Sequence, residues 1–279
     1  PSRADLLRDA VASLLPQCDR VKVFLNNYPE VPDFLNHPRI DVRRSQDWDD
    51  RGDAGKVFWL DRDRKEGGYR ILVDDDLVFP PDFARTMTGK VAALGGQAIY
   101  TCHSALLRQP LLNYYDRASR ATTFHFAGAL EVDRGAHIAA TGTTCFHSAA
   151  VTMSWADFRY RNSADIWLTL HAREKGLCVL SPARPRFWIR ENARQDRTAT
   201  IYHHSHTGSR SRFDSSGVQN ATLRHAGLLT VRPAPGRAKL GLAFLADDAD
   251  RLKRQVDTFL ALRRPDVEWC LMFVHDATR

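Results

Sequence analysis

The chain has 279 residues, of which 43% are hydrophobic, so it is long and apolar enough to bury at least one full core. Its longest apolar run, residues 240–246, is far shorter than the roughly 20 residues that cross a bilayer, which excludes a transmembrane helix. The net charge of +7 indicates an attraction for anions but does not identify a partner.

The positive charge is concentrated between Arg184 and Arg237, where ten arginines accompany three acidic residues. This predicts attraction of an anionic ligand, such as a diphosphate or an acidic membrane surface, while a merely solvated, arginine-rich surface stays open. Because no aromatic residues alternate with the basic ones and no zinc-finger or RNP-like motif is present, we expect no nucleic acid as a partner. Five scattered cysteines without a CxxC pair indicate free thiols in a reducing compartment.

Strand and helix patterns alternate along the chain. In order, they predict a helix that Pro16 ends, strands over 21–25 and 40–42, a helix over 54–60, a strand over 69–73, a helix over 83–94 and a strand over 98–101. A helix over 163–175, capped by Gly176, and a strand over 177–180 follow later. This alternation predicts an α/β fold with a mostly parallel sheet flanked by helices.

The most informative motif is the acidic triplet Asp74, Asp75 and Asp76, which directly follows the apolar strand 69–73. Three adjacent carboxylates repel one another unless a cation compensates them. Hard divalent ions such as Mg²⁺ bind carboxylate oxygens and share them with substrate phosphates, and ligands of open α/β sheets bind at the carboxyl ends of strands. The motif therefore predicts a metal site, with a solvated acidic turn as the alternative.

With the following Pro-Pro-Asp-Phe, this stretch resembles the DxD motif of GT-A glycosyltransferases, which have a Rossmann-like α/β fold. The resemblance points to the inverting family 2 and its bacterial polysaccharide relatives, and it covers most of residues 1–206. It implies a divalent metal cofactor, Mn²⁺ or Mg²⁺, with Asp76 as ligand. Asp74 and Asp75 would contact the ribose or metal-bound water, although the triplet permits more than one register.

The resemblance also implies that Gly52-Asp53-Ala54-Gly55-Lys56 lies against the nucleotide. Lys56 would then neutralise a phosphate or hold the carboxylates of the triplet, and Asn26, at the end of an early strand, would face the nucleotide. Residues 141–147, TGTTCFH, resemble the small-residue loop that faces donor and acceptor, because small residues let backbone amides approach a ligand. Solvated side chains and an ordinary turn are the respective alternatives.

Asp165 opens the helix that covers residues 166–175, and its position resembles that of the catalytic base in the inverting family. Inversion requires a carboxylate that takes the proton of the acceptor hydroxyl. Ala164 stands where many members of the family carry a second acidic residue. The alternative is an aspartate that only stabilises the helix dipole.

A dense histidine group, His203, His204 and His206, follows a predicted strand over 200–202. Several GT-A enzymes complete the metal site with a late histidine, and imidazole binds Mn²⁺-like ions, so His204 and His206 are predicted metal ligands. A solvated loop is the alternative. Nearby arginines, above all Arg194, are predicted to bind the diphosphate as bidentate donors.

The predicted domains are a GT-A domain over 1–206, a loop or linker over 207–237, and the opening βαβ unit of a second GT-A domain over 238–279. In that last segment Asp276 follows the second strand. GT-A domains usually open with a strand, whereas this chain opens with a helix pattern. We therefore expect a piece of a longer protein with two transferase modules, and completion of the first sheet by the tail stays the alternative.

Taken together, these features predict a metal-dependent inverting glycosyltransferase of surface polysaccharide or glycan synthesis. The resemblance implies a nucleotide-sugar donor, with a UDP-sugar favoured, and a glycan or lipid-linked acceptor. We expect a cytoplasmic location, with peripheral association at the inner face of the membrane left open. A nucleotidyltransferase or metal-dependent phosphohydrolase, and a non-catalytic glycan-binding module, are the two alternatives.

Overall fold

The computed structural model describes residues 3–108, 113–114, 116–196, 216–225, 238–246 and 267–275. The chain divides into two compact units, Pro1–Thr230 and Val231–Arg279. Among the described residues, no helix has the length and apolar character that a membrane span requires.

The described residues form four α-helices and fourteen β-strands. The helices are α1 (Ala4–Leu14), α2 (Phe83–Ala93), α3 (Ala164–Glu174) and α4 (Ser216–His225). The strands are β1 (Val21–Leu25), β2 (Ile40–Arg44), β3 (Tyr69–Val73), β4 (Leu77–Val78), β5 (Ala98–Thr101), β6 (Ser104–Leu107), β7 (Arg120–Phe124), β8 (Arg134–Gly135), β9 (Ile138–Ala139), β10 (Thr143–His147), β11 (Cys178–Ser181), β12 (Arg190–Glu191), β13 (Ala238–Ala246) and β14 (Val267–His275).

A five-stranded sheet of order β3-β10-β5-β11-β8 forms the centre of the first unit. Only β5 and β11 pair in parallel, and the other three pairings are antiparallel. The α/β prediction is confirmed, but the sheet is mixed and the predicted mostly parallel pairing is wrong. Two of the antiparallel pairings involve β10, which runs against both of its neighbours, and the third involves β8; chain order alone orients neither strand.

The two faces of this sheet are covered by different helices because successive side chains on a strand point to opposite sides. On one face, Leu72, Ile99 and Phe146 pack in a cluster with Leu168 of α3. On the other face, Tyr100 and Cys145 pack with residues of α2, namely Phe83, Met87 and Val91. Burying each large apolar side chain contributes about 1.5–3 kcal/mol, so both faces hold the sheet in place.

A parallel pair, β1 and β2, is packed against α1 by Leu7, Val11 and Leu25. After β2, the helix predicted over 54–60 is wrong in type: Gly52–Val57 is a 3-10 helix. Gly52 has φ +62°, outside the helical region, and a Cβ on Gly55 would lie 2.6 Å from a ring carbon of Phe24. Close packing of this segment on β1 therefore determines its shape.

The predicted loop or linker over 207–237 contains a helix, α4, and its other residues lie outside the described ranges. Leu223 of α4 is fully buried with Ile166 of α3, and the Gln219 side chain donates to the carbonyl of Asn162 at 2.7 Å. For residues 216–225 the loop prediction is thus wrong, because apolar contacts with α3 stabilise a helix in a polar sequence.

In the second unit, β13 and β14 pair in parallel from Ala238↔Val267 to Ala246↔His275. The two strands of the predicted βαβ unit are therefore present. The residues between them, 247–266, and Asp276 lie outside the described residues.

Candidate functional site

The reversed strand β10 brings a glycine against the end of β3. Thr143 is in register with Val73, and the Asp74 N–H donates to the Gly142 carbonyl at 3.1 Å. A Cβ on Gly142 would lie 2.1 Å from Oδ2 of Asp74, so only glycine leaves room for this carboxylate. The antiparallel pairing thus places the loop before β10 at the acidic triplet.

Lys56 reaches the same point from the 3-10 helix Gly52–Val57. Its ammonium forms an ion pair with Oδ1 of Asp74. Burial would lower the pKa of Lys56, but the charges of Asp74, Asp53 and Asp165 outweigh it and raise the pKa above its ordinary value. The Asp74 side chain keeps 45% of its surface accessible, so a ligand can still reach this ion pair.

Asp165 stands in the first turn of α3 and is held by the loop before β10. Its Oδ1 accepts hydrogen bonds from the Thr141 N–H and from the Thr141 hydroxyl, both at 2.7 Å. Its Oδ2 accepts no hydrogen bond from any described residue. Burial raises the pKa of Asp165, which its hydrogen bonds to Thr141 and the charge of Lys56 only partly oppose. The loop before β10 therefore fixes the orientation of this carboxylate.

Asp53, which sequence reasoning did not single out, lies beside this group. Its Oδ2 accepts from the Ala164 N–H at 3.0 Å, at the start of α3, and its Oδ1 is buried without a partner in the structure. Burial raises the pKa of Asp53 to about 7, with Lys56 lowering it and Asp165 raising it. In the sequence it was indicated only as a member of residues 52–56, which the resemblance implies to lie against the nucleotide.

The other two carboxylates of the triplet are bound by Arg3. The guanidinium pairs with Asp75 and lies 3.1 Å from Oδ2 of Asp76, which also accepts from the Gln195 side chain at 3.0 Å. Burial, followed by the charges of Asp74 and Asp75, raises the pKa of Asp76 to about 6. No sequence pattern indicated Arg3 or Gln195, since both come from distant segments.

The donor set of the triplet fits a hard divalent cation. All its ligand atoms are carboxylate oxygens, and burial together with the neighbouring charges of Asp74 and Asp75 raises the pKa of Asp76, which a bound cation would oppose. Within the described ranges, however, no three His, Cys, Asp or Glu side chains form a complete ligand group. One or two carboxylates with substrate phosphates suffice for Mg²⁺, so an incomplete protein shell is compatible with such an ion.

His103 is a further titratable group close to Asp74. The pKa of His103 is lowered to about 4, chiefly by burial. The charges of His125 and Arg120 also lower it, and the charge of Asp74 raises it. The imidazole is consequently neutral near pH 7. The imidazole adds no positive charge to the site. The positive charge comes from Lys56 and Arg3.

The remaining predicted site residues have different positions. The Asn26 amide donates to the Gly52 carbonyl at 2.9 Å, so it lies beside the segment that carries Lys56, and its Oδ1 is buried without a partner in the structure. The Arg194 guanidinium pairs with Asp9 of α1 and makes no hydrogen bond or ion pair with the described triplet. His204 and His206, like His203 and Arg197, lie outside the described residues.

The chain matches no protein-family model and no curated protein. The site is therefore interpreted from its own residues.

Proposed function

We propose that the chain carries a metal-dependent inverting glycosyltransferase domain of the GT-A type, which moves a sugar from a nucleotide-diphosphate donor to an acceptor hydroxyl. The proposal depends on one observation: Lys56 and Asp165, from segments far apart in the chain, gather around Asp74 at the end of β3. These groups meet at the carboxyl end of a strand, where ligands of α/β sheets bind, and perturbed pKa values such as theirs are common at functional sites.

Asp165 is the catalytic base in this proposal. Thr141 holds its Oδ1, which orients Oδ2 toward an incoming acceptor hydroxyl, and a raised pKa makes the carboxylate a better proton acceptor. The hydroxyl oxygen then forms the new bond to the anomeric carbon of the donor sugar. The bond to the nucleoside diphosphate breaks on the opposite face, and the proton remains on Asp165.

Lys56 and a divalent ion held by the triplet would orient the donor. Lys56 is 19% exposed and faces the accessible Asp74, so its ammonium can contact a diphosphate oxygen or the ribose side of the donor. A divalent ion held by Asp76, with His204 or His206 as predicted further ligands, would stabilise the charge that grows on the leaving diphosphate. A divalent ion would compete with Arg3 and Gln195 for the carboxylate oxygens of Asp76. These two side chains would therefore have to share or release that carboxylate.

The deciding experiment is a thermal-shift panel with UDP, GDP and Mn²⁺, followed by product analysis with UDP-sugars. We expect stabilisation by a nucleotide only when Mn²⁺ is present, and release of a nucleoside diphosphate during turnover. Release of pyrophosphate or phosphate would instead identify a nucleotidyltransferase or a phosphohydrolase. A complete lack of nucleotide binding would leave a glycan-binding module.

Two variants test the assigned roles in the same assays. Asp76→Asn should remove the Mn²⁺-dependent stabilisation and lower turnover at least about a hundredfold, because the ion loses its proposed ligand. Asp165→Asn should bind the nucleotide normally but lower turnover about 10²–10⁴-fold, the usual contribution of a positioned base. Full activity of Asp76→Asn would remove the triplet from the mechanism.

A further inference from the structure

A cleft of about 560 Å³ opens between residues 125–128 and residues 186–191. This volume lies in the range of small-molecule sites and accommodates one or two sugar rings. The mechanism proposed above uses none of the side chains that line it.

Both walls of the cleft are connected to the acidic triplet. On one side, Glu191 pairs with Leu77, one residue after Asp76, and the Asn192 N–H donates to the Asp76 carbonyl at 2.8 Å.

On the other side, the His125 ring lies 5.1 Å from the His103 ring. The His103 N–H donates to the Thr143 hydroxyl at 3.0 Å, and Thr143 pairs with Val73 at the end of β3. The cleft therefore adjoins the end of β3 where the carboxylates lie.

The walls are held in place by a buried arginine, Arg184. Its guanidinium donates to the carbonyls of His125 at 2.8 Å and Phe126 at 3.3 Å in one wall, and to that of Cys102 at 2.8 Å beyond β5. The Phe187 N–H in turn donates to the Ala127 carbonyl at 2.9 Å across the cleft. The cleft is thus preformed, which reduces the entropy that a ligand must lose on binding.

Phe187 is unusual in both conformation and exposure. Its φ is +58°, a region that residues other than glycine rarely adopt, and 55% of the residue is exposed. A strained backbone that presents an aromatic ring to solvent is a mark of a binding site. Such a ring offers a flat apolar surface on which the C–H face of a pyranose can pack.

The charged residues that line the cleft are two arginines, Arg186 and Arg190, and one acidic residue, Glu191, so positive charge is in excess. Arg186 and Arg190 are both exposed, and neither forms an ion pair with a residue in the described part of the chain. Arg186 lies over the Phe187 ring, with its central carbon 4.8 Å from the ring centroid. Guanidinium groups bind carboxylate and phosphate oxygens in pairs, so a ring with an attached anionic group complements this surface.

We propose that this cleft is the acceptor subsite and that it binds a sugar carrying a carboxylate or a phosphate group. The sugar ring packs on Phe187 while its anionic group pairs with Arg190 and Arg186. The acceptor role depends on the proposed function, since it requires a donor at the neighbouring triplet. The binding of an anionic sugar does not depend on it.

The test is ligand-observed NMR on the full chain, with methyl β-D-glucuronide and glucose 6-phosphate as anionic probes and methyl β-D-glucoside as the neutral control. We expect the better anionic probe to bind at least about tenfold more tightly than the glucoside, and the two anionic probes separate a carboxylate from a phosphate requirement. Phe187→Ala and Arg190→Gln should each weaken this binding at least about fivefold. Phe187→Gly, which adopts a positive φ without strain, replaces Phe187→Ala if that variant does not fold.

Matched controls are Tyr69→Ala, an exposed aromatic residue at the opposite end of β3, and Arg85→Gln, an exposed arginine on α2. Both should change binding less than twofold. Equal binding of neutral and anionic sugars, or binding that Arg190→Gln leaves unchanged, would overturn the proposal. Nucleotide binding measured on the same samples distinguishes this failure from that of the proposed function. If nucleotide and Mn²⁺ bind but the protein does not prefer anionic sugars, only the proposal of the acceptor subsite is refuted.

Discussion

The first unit contains two lysine clusters of similar composition, and only one of them lies where a ligand is expected. Lys22 on β1 pairs with Asp63 and lies 3.7 Å from Asp41 and 4.0 Å from Glu66, while Lys56 pairs with Asp74 near Asp53 and Asp165. The two lysine side chains are almost equally exposed, at 21% and 19%. Neither composition nor burial of the lysine distinguishes them.

What differs is how the carboxylates are held. Asp165 and Asp53 accept backbone N–H groups of Thr141 and Ala164, which fix their direction, and Asp74 lies against a glycine that leaves room for it. Around Lys22, Asp41 also pairs with Arg20 at the surface, and the Asp63 carboxylate pairs with Lys22. The proposed site therefore differs from the Lys22 cluster in the backbone anchoring of its carboxylates and not in ion pairing.

The largest effect on this comparison is expected when each lysine is replaced by methionine. Lys56→Met should lower turnover at least about a hundredfold, because the carboxylates around it lose their cation and the donor loses a contact. Lys22→Met should keep turnover within about twofold. Both variants should lose a similar free energy of unfolding, about 1–3 kcal/mol, since each leaves partly buried carboxylates uncompensated. Urea unfolding and a turnover assay measure the two quantities, and equal turnover in the two variants would refute the distinction.

A smaller effect is expected at the glycine that accommodates Asp74. Gly142→Ala would put a Cβ 2.1 Å from Oδ2 of Asp74, so the carboxylate must rotate away from Lys56. We expect kcat/KM to fall about tenfold or more, with about 1 kcal/mol lost in stability. Gly135→Ala is the control, because a Cβ there has no atom within 4 Å and the residue lies on β8, away from the triplet. Wild-type kinetics for Gly142→Ala would show that this close contact has no role.

The smallest effect concerns the pH dependence of stability. Because burial raises the pKa of Asp53 from 3.8 to about 7, the folded state holds its proton more tightly than the unfolded state. This stabilisation is complete below pH 3.8 and is lost as the pH rises through about 7. Asp53→Asn should therefore reduce the loss of unfolding free energy between pH 6 and pH 8 by about 1 kcal/mol. Unfolding titrations at both pH values test this, and an unchanged difference would contradict the burial of an ionisable Asp53.

Local patterns were sufficient for two of the elements that carry the site, β3 and α3. The strand over 69–73 ends at the triplet as predicted, and the helix predicted over 163–175 is α3, with Asp165 in its first turn. Gly176 has the positive φ of +66° that its predicted capping role requires. Each depends on neighbours along the chain, where turn and capping preferences are strong.

Contacts between distant segments were not predictable in this way. The antiparallel direction of β10, the 3-10 form of Gly52–Val57 and the helix α4 all depend on what packs against them. Arg3 and Gln195 reach Asp76 from the two ends of the first domain, and no spacing in the sequence indicates that they meet.

By itself, the sequence determined an α/β architecture, an acidic strand end and the residue types available for chemistry there, because strand periodicity and adjacent carboxylates are local properties. Only the tertiary structure decided which groups surround Asp74, which of two similar lysine clusters lies at the strand end, and that a positively charged cleft adjoins it. Those outcomes depend on the reversal of one strand and on burial, and both arise from the whole packed domain.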